Sequence, residues 1–291
     1  MLLPLVQTLR PRQWLKNIFV AVPLVFGQKL TDPTSLWTTA GAVVLFSLVS
    51  GCVYILNDIV DIEKDRAHPK KQHRPLPSGR LSITVARAFA VLAVPLAIGL
   101  GYWLEPLYAL VLGIYFAQNV AYSFKLKNVP YLDVSSIAAG FILRVLAGAF
   151  ALQIPPSPWL LACTGLLALF LGFGKRAHEL NSSGGSASKQ RAALAKYSPK
   201  VLRVILYSLA VVTVGVYATY TMSDHVAQLF GTDKMVYTTI FLVLGIGRFI
   251  QITTSDGDAE SPTEEMLRDP LFMANFVIGV IVSTAILYGW I

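Results

Sequence analysis

Acidic side chains are scarce in this sequence, and they are unevenly placed: Asp and Glu number 16 against 24 Lys and Arg, and charged residues of both signs fill only 14% of 291 positions. A water-soluble domain carries about 25%. With 55% hydrophobic residues and a mean hydropathy of +0.60, the chain must be surrounded by lipid. Cysteine is nearly absent. Cys52 and Cys163 both fall in apolar runs with no CxxC or His-rich context, which excludes a disulfide framework and a zinc site and leaves two small buried hydrophobes. A cleaved leader is not expected, because MLLPLVQTLRPRQW has too short an apolar stretch before its arginines. No repeat of 20 to 50 residues stands out, although long polar loops after the second and sixth apolar runs hint at pseudo-symmetric halves.

Long apolar runs are what the sequence does have. Taking about 20 residues as the length that crosses a bilayer, runs at 14–28, 36–57, 83–104, 107–122, 132–152, 157–173, 201–222, 235–252 and 271–291 predict nine transmembrane helices in one all-α integral membrane domain over residues 1–291. The first is short and interrupted by Pro23, so it is partly interfacial or buried against neighbours. Lys and Arg concentrate on alternate connections. Arg10, Arg12 and Lys16, the loop 64–80, Lys125 and Lys127, and the segment 175–200 are rich in them, whereas the opposite connections hold only Lys29 and Lys234. This places the N-terminus and the long loops in the cytoplasm and the C-terminus outside. The loop 253–270 dissents with six acidic residues and Arg268 alone, but acidic residues weigh little in that rule. The net charge of +8 is therefore a topology signal plus attraction to anionic lipid or phosphate, and gives no reason to invoke nucleic acid. NSSGGSASK, 181–189, reads as a flexible linker, with ordering over a ligand as the alternative.

Four of the scarce carboxylates fall in one short stretch, NDIVDIEKDRAHPKKQHRP, 57–75, directly after an apolar run. If the second helix continues to about residue 66, Tyr54, Asn57, Asp61 and Asp65 recur at spacings of three and four and share one face, while Asp58 and Glu63 point elsewhere. Oxygens one turn apart repel one another unless a cation sits among them. Hard oxygen ligands used sparingly suit Mg2+ when a substrate phosphate completes its shell, so the expected site is a metal bridge to a diphosphate. Charge facing lipid is costly, so this face should line a cavity open to the cytoplasm. A mixed-charge juxtamembrane loop is the plainer alternative, but such a loop has no need of oxygen ligands at successive turns. His68, Lys71 and Arg74 follow, with Pro69 ending the helix, and would neutralise a pyrophosphate leaving group. RPRQWLKN, YSFKLK and GKRAHEL add cations at other cytoplasmic ends. Arg144 lies inside the fifth run, where an unpaired charge is expensive, so it should face the cavity and meet a phosphate or a carboxylate, or else form a structural ion pair. Arg248 can snorkel to the interface.

NDIVDIEKD has the NDxxDxxxD form of the UbiA superfamily of intramembrane prenyltransferases. RPRQWLKN, the long stretch 57–75, LKNVPYLDV, the arginine of ILRVLAG, GKRAHEL and LRD together resemble one branch, the decaprenyl-phosphate phosphoribosyltransferases, over essentially the whole chain. The resemblance implies a UbiA-type helical bundle around a cytoplasm-facing cavity in a bacterial inner (plasma) membrane. It implies transfer of 5-phosphoribose from 5-phospho-α-D-ribose 1-diphosphate to a polyprenyl phosphate, with Mg2+ and release of pyrophosphate, toward decaprenyl-phosphate arabinose and cell-wall arabinan. In that frame Asn57, Asp61 and Asp65 hold Mg2+. Tyr54, Lys71 and Arg74 contact the sugar diphosphate, and Lys16, Lys127 and Arg144 neutralise its phosphates. Lys175 and Arg176 place the lipid phosphate. Prenyl-diphosphate users of the superfamily carry a second Asp-rich motif where this chain reads GKRAHEL, so the lipid is expected to be acceptor rather than donor. An aromatic prenyltransferase and a transporter remain the alternatives, and self-association stays open.

Overall fold

The computed structural model describes residues 2–182, 194–254 and 262–291, and the expected linker at 181–189 lies outside these from residue 183 onward. Among the described residues every regular element is helical. The chain opens with α1 (Leu2–Leu9), a 3-10 helix (Pro11–Ala21) and α2 (Val22–Phe26), and continues through α3 (Pro33–Val60) and the short α4 (Ile62–Arg66). Next come α5 (Ile83–Leu104), α6 (Pro106–Phe124), α7 (Leu132–Ala151) and α8 (Pro158–Ser182). The last elements are α9 (Pro199–Thr221), α10 (Asp224–Phe230), α11 (Thr239–Thr254), α12 (Pro262–Arg268) and α13 (Pro270–Leu287). Prolines open α3, α6, α8, α9, α12 and α13, where the missing N–H has no helical partner to lose. Asp32 caps α3 by accepting from the amides of Thr34 and Ser35 at 3.3 and 3.0 Å, and the Ser35 hydroxyl and amide bonds hold its carboxyl below the ordinary aspartate value.

Eight described helices are long and apolar enough to cross a membrane, which makes the chain an integral membrane protein. Their order matches the second to ninth expected runs. The first run, 14–28, is not a continuous span: Pro11 opens a 3-10 helix and Pro23 falls within the next short helix. It forms a composite segment whose residues Asn17 and Val20 are fully buried.

The helices form two compact units, residues 1–127 with 140–156, and residues 128–139 with 157–291. In the first unit α3 packs on α1, the 3-10 helix, α5 and α6. Its core joins Val20, Phe46, Val49, Tyr108, Leu112, Tyr115 and Ala147, and the buried Tyr108 hydroxyl donates to the Ala42 carbonyl at 2.7 Å. A Cβ at Gly148 would overlap the Val20 carbonyl oxygen and meet Pro23 Cδ at 3.1 Å, so glycine there is what lets α7 lie against the composite segment. In the second unit α8 packs on α9 and α11 on α13, around Phe170, Leu206, Ile246 and Phe249.

Candidate active site

The expected row of oxygens exists, with a break in the helix that carries it. α3 ends at Val60, and Asp61 (φ −97°, ψ 10°) serves as hinge to α4. The amide of Asp61 still donates to the Asn57 carbonyl at 2.9 Å, and that of Asp65 to the Asp61 carbonyl at 2.8 Å. The four-residue spacing therefore survives the break, and a straight helix to residue 66 is replaced by two helices sharing that ladder. The following loop is pinned by apolar residues. Pro75, Leu76 and Pro77 are buried, with Leu76 in a cluster with Leu9, Ile55, Leu81 and Ala86. Burying a leucine side chain contributes about 1.5–3 kcal/mol, which fixes Arg74 just before it.

Each carboxylate of the row already grips a cation. Lys127, half-buried in a 3-10 turn at Leu126–Asn128, donates to both oxygens of Asp61 at 2.8 and 2.7 Å. Arg74 donates through Nη1 to Asp65 Oδ2 at 2.6 Å and to Asp58 Oδ1 at 3.3 Å, and Lys71 Nζ lies 3.9 Å from Asp65 Oδ1. Asn57 Oδ1 lies 2.5 Å from the Ser123 hydroxyl. Asp58 does not point away from the site as its helical position suggests: its side chain is 3% exposed and also accepts from Arg10, whose guanidinium carbon stands 5.0 Å over the Tyr54 ring. Arg10 and Asp58 are the residues that spacing alone missed. The signal for Arg10 was its position in RPRQWLKN, and for Asp58 its adjacency to Asn57.

Of the candidates, Tyr54, Asn57, Asp61, Asp65, Lys71, Arg74 and Lys127 come together at this end of the first unit. Lys16 is exposed on the 3-10 helix. Arg144 is buried, as expected, and its partners within the protein are neutral groups in place of the carboxylate that was one alternative. It donates to Asn17 Oδ1 (2.9 Å), the Gly140 carbonyl (2.8 Å) and the Tyr115 hydroxyl (2.9 Å), and the rings of Phe46, Tyr115 and Phe141 stand about it at 4.9 to 5.3 Å. Among the described residues no carboxylate pairs with it. Neutral acceptors and ring faces disperse the charge instead. Asn17 completes the network by donating to Ser47 and Ser50 at 3.0 Å each.

The second unit holds Lys175 and Arg176 on α8. Lys175 is half-buried and Arg176 buried. The Arg176 guanidinium pairs with Asp133 at 2.9 Å and with Glu179. Tyr197 donates to Asp133 at 2.5 Å and accepts from the Tyr131 amide at 2.6 Å, which holds Tyr131 in a left-handed conformation (φ 68°). Burial and the Asp133 carboxylate push the Tyr197 phenol well above its ordinary value. Arg248, whose side chain is 36% exposed near the end of its helix, forms two bonds to Asp269 at 3.2 and 2.6 Å.

The donor set fits a hard divalent ion. Among the described residues no three Asp, Glu, His or Cys side chains converge into a closed metal cage, but Asn57, Asp61 and Asp65 offer hard oxygen donors of the kind Mg2+ uses sparingly when substrate oxygens complete its shell.

A model of the UbiA prenyltransferase family matches residues 18–276. The chain belongs to the UbiA prenyltransferase family. It is an enzyme of that family, of the kind that works on prenyl phosphates. Among its UbiA relatives is the decaprenyl-phosphate phosphoribosyltransferase of Corynebacterium glutamicum, 34% identical over 91% of this chain and 81% of the relative. The protein of that name from Mycolicibacterium smegmatis is 31% identical over 98% and 92%. A solved UbiA homologue from Archaeoglobus fulgidus bound to GPP and Mg2+ superposes with a TM-score of 0.73 over 98% of both chains at 17% identity, which establishes the all-α UbiA bundle as the fold.

Proposed function

We propose that this enzyme transfers 5-phosphoribose from 5-phospho-α-D-ribose 1-diphosphate to a polyprenyl phosphate at the cytoplasmic face of a bacterial inner membrane and releases pyrophosphate. The observation that carries the reading is the set of carboxylates Asp58, Asp61 and Asp65 interleaved with Arg10, Lys71, Arg74 and Lys127. Four cations against three carboxylates leave one positive charge, and a divalent ion raises it to three, which suits a diphosphate ester. Relatives named decaprenyl-phosphate phosphoribosyltransferase, and the absence of an Asp-rich motif from GKRAHEL at 174–180, support the lipid as acceptor.

Asn57, Asp61 and Asp65 would hold Mg2+, which supplies charge neutralisation of the departing diphosphate. Lys127, on Asp61, and Arg74, on Asp65 and Asp58, are the cations that would contact the phosphate oxygens beside the metal. Tyr54 and Lys71 flank the sugar diphosphate, and exposed Lys16 adds a further cation. Arg144 fixes Asn17 and Tyr115 in the first unit; in the second, Arg176 is held by Asp133 and Glu179, and Lys175 beside it is the proposed contact of the lipid phosphate. A phosphate monoester is already largely ionised near neutral pH, so its oxygen attacks the anomeric carbon without a strong general base. The bond from that carbon to the diphosphate oxygen breaks, its electron pair leaves with pyrophosphate, and the sugar inverts. Positioning and charge stabilisation supply the acceleration. The product would feed decaprenyl-phosphate arabinose and arabinan. The test is pyrophosphate release by purified protein given both substrates and Mg2+. Asp61→Ala should lower it by orders of magnitude with folding intact, and near-normal release by that variant overturns the metal assignment.

A further inference from the structure

Asp58 stands apart from the other carboxylates of the cluster by its position and its partners. Its side chain is 3% exposed, as buried as that of Asp65 at 5%, whereas that of Asp61 is 30% exposed. Its neighbour Asn57 belongs to the row at four-residue spacing, and Asp58 itself is turned about 100° from that row by the helical pitch. Its partners are two arginines from distant parts of the chain, Arg10 and Arg74, both donating to the one oxygen Oδ1. Arg10 is also held in a conformation that non-glycine residues adopt rarely, φ 53° and ψ 64°. Such backbone persists where the surroundings over-determine it, and it concentrates at functional sites. Here the surroundings are the Asp58 carboxylate and the Tyr54 ring face.

From this geometry we propose that Asp58 is a positioning residue, which takes no metal and instead fixes the guanidinium groups of Arg10 and Arg74 side by side as a paired clamp for the diphosphate. The proposal rests on the diphosphate reading above, but not on which diphosphate ester the enzyme uses. A guanidinium has five N–H donors in a fixed fork. Arg10 spends one terminal nitrogen on Asp58, and Arg74 spends Nη1 on Asp58 and Asp65, so each keeps further donors with no protein acceptor among the described residues. Arg74 also links the two classes of carboxylate. Were Asp65 to hold a metal, Asp58 would still hold Arg74 in place. Without Asp58 two neighbouring guanidinium groups repel each other and spread, and Arg10 loses its reason to stay left-handed.

The electrostatic sign separates positioning from a general charge effect. Asp58→Asn removes a negative charge beside an anion site, which by Coulomb's law alone tightens anion binding. Positioning requires the opposite. The experiment is calorimetric titration of magnesium pyrophosphate into the full-length protein in detergent, for wild type, Asp58→Asn, Asp61→Asn and Arg10→Gln, each first checked for a cooperative melt. The expected result is at least a tenfold weaker affinity in Asp58→Asn with the Mg2+ dependence of binding unmoved, whereas Asp61→Asn shifts that dependence to higher Mg2+. Arg10→Gln, whose site is partly exposed and which leaves Asp58 paired with Arg74, should weaken binding several-fold. If Asp58→Asn is not recovered folded, Arg10→Gln decides the matter, and unchanged affinity there overturns the proposal. Equal or tighter binding by Asp58→Asn, or a Mg2+ shift matching that of Asp61→Asn, also overturns it while leaving the diphosphate reading intact. No binding by wild type overturns both.

Discussion

Replacing Lys127 by Met should push two affinities in opposite directions. Lys127 Nζ sits between both oxygens of Asp61 at 2.8 and 2.7 Å, with side-chain exposures of 14% for Lys127 and 30% for Asp61. A pair this far from bulk water interacts more strongly than a fully exposed one, but solvent reaching Asp61 screens it. About 1 kcal/mol, the upper end for exposed pairs, is a reasonable magnitude. A divalent ion that ligates Asp61 must first displace the ammonium, so removing Lys127 should tighten metal binding to the substrate-free protein by about fivefold, the factor that 1 kcal/mol represents. The diphosphate loses a cation, and its affinity should fall by a similar factor or more. Calorimetric titration with Mn2+ alone, and then with magnesium pyrophosphate, reads both. Metal affinity that is unchanged or weaker in Lys127→Met would refute the idea that this lysine occupies a metal-ligating carboxylate.

Gly148→Ala should lower the melting temperature in detergent, because its Cβ meets the Val20 backbone and Pro23, neither of which can yield easily; overpacking of this kind costs about 1–3 kcal/mol. Tyr197→Phe removes both a donor to Asp133 and the acceptor of the strained Tyr131 amide, and a loss of about 1–3 kcal/mol in unfolding free energy is expected for groups left unsatisfied. Asp269 caps α13 and pairs with Arg248, whose bonds hold its carboxyl below the ordinary value of 3.8. Its charged form is therefore favoured by folding, so the contribution is present above the unfolded pKa and is lost as pH falls through the lowered folded one. The stability difference between wild type and Asp269→Asn should be constant above about pH 5 and shrink below about pH 4, and a difference that instead grows toward low pH contradicts the assignment.

Much of the fold is legible locally, because lipid imposes apolar length on every span and prolines mark where helices open. Ile83–Leu104 is an example: the apolar run and the helix coincide. The composite segment at 11–26 resists such reading, since its apolar content is right for a span while its prolines and buried Asn17 set a 3-10 path that only contact with α3 and α7 explains. In the site, the four-residue spacing of Asn57, Asp61 and Asp65 is visible because it is a property of one helix. The partners are not. Arg10 meets Asp58 across 48 positions, Lys127 meets Asp61 across 66 and Arg144 meets Asn17 across 127, and no local periodicity encodes pairings at that range. Arg144 shows the same limit from the other side: its burial follows from hydropathy, whereas its neutral partners depend on which helices surround it.

A choice of labelled donors separates sugar transfer from prenyl transfer. Purified protein in detergent with Mg2+ is given radiolabelled 5-phospho-α-D-ribose 1-diphosphate with a polyprenyl phosphate, and in parallel a labelled prenyl diphosphate with an aromatic acid. The expected result is label in the lipid fraction from the sugar donor only, abolished by a chelator. Label transferred only from the prenyl diphosphate would contradict the lipid's role as acceptor, and transfer from neither would contradict the assignment as a phosphoribosyltransferase.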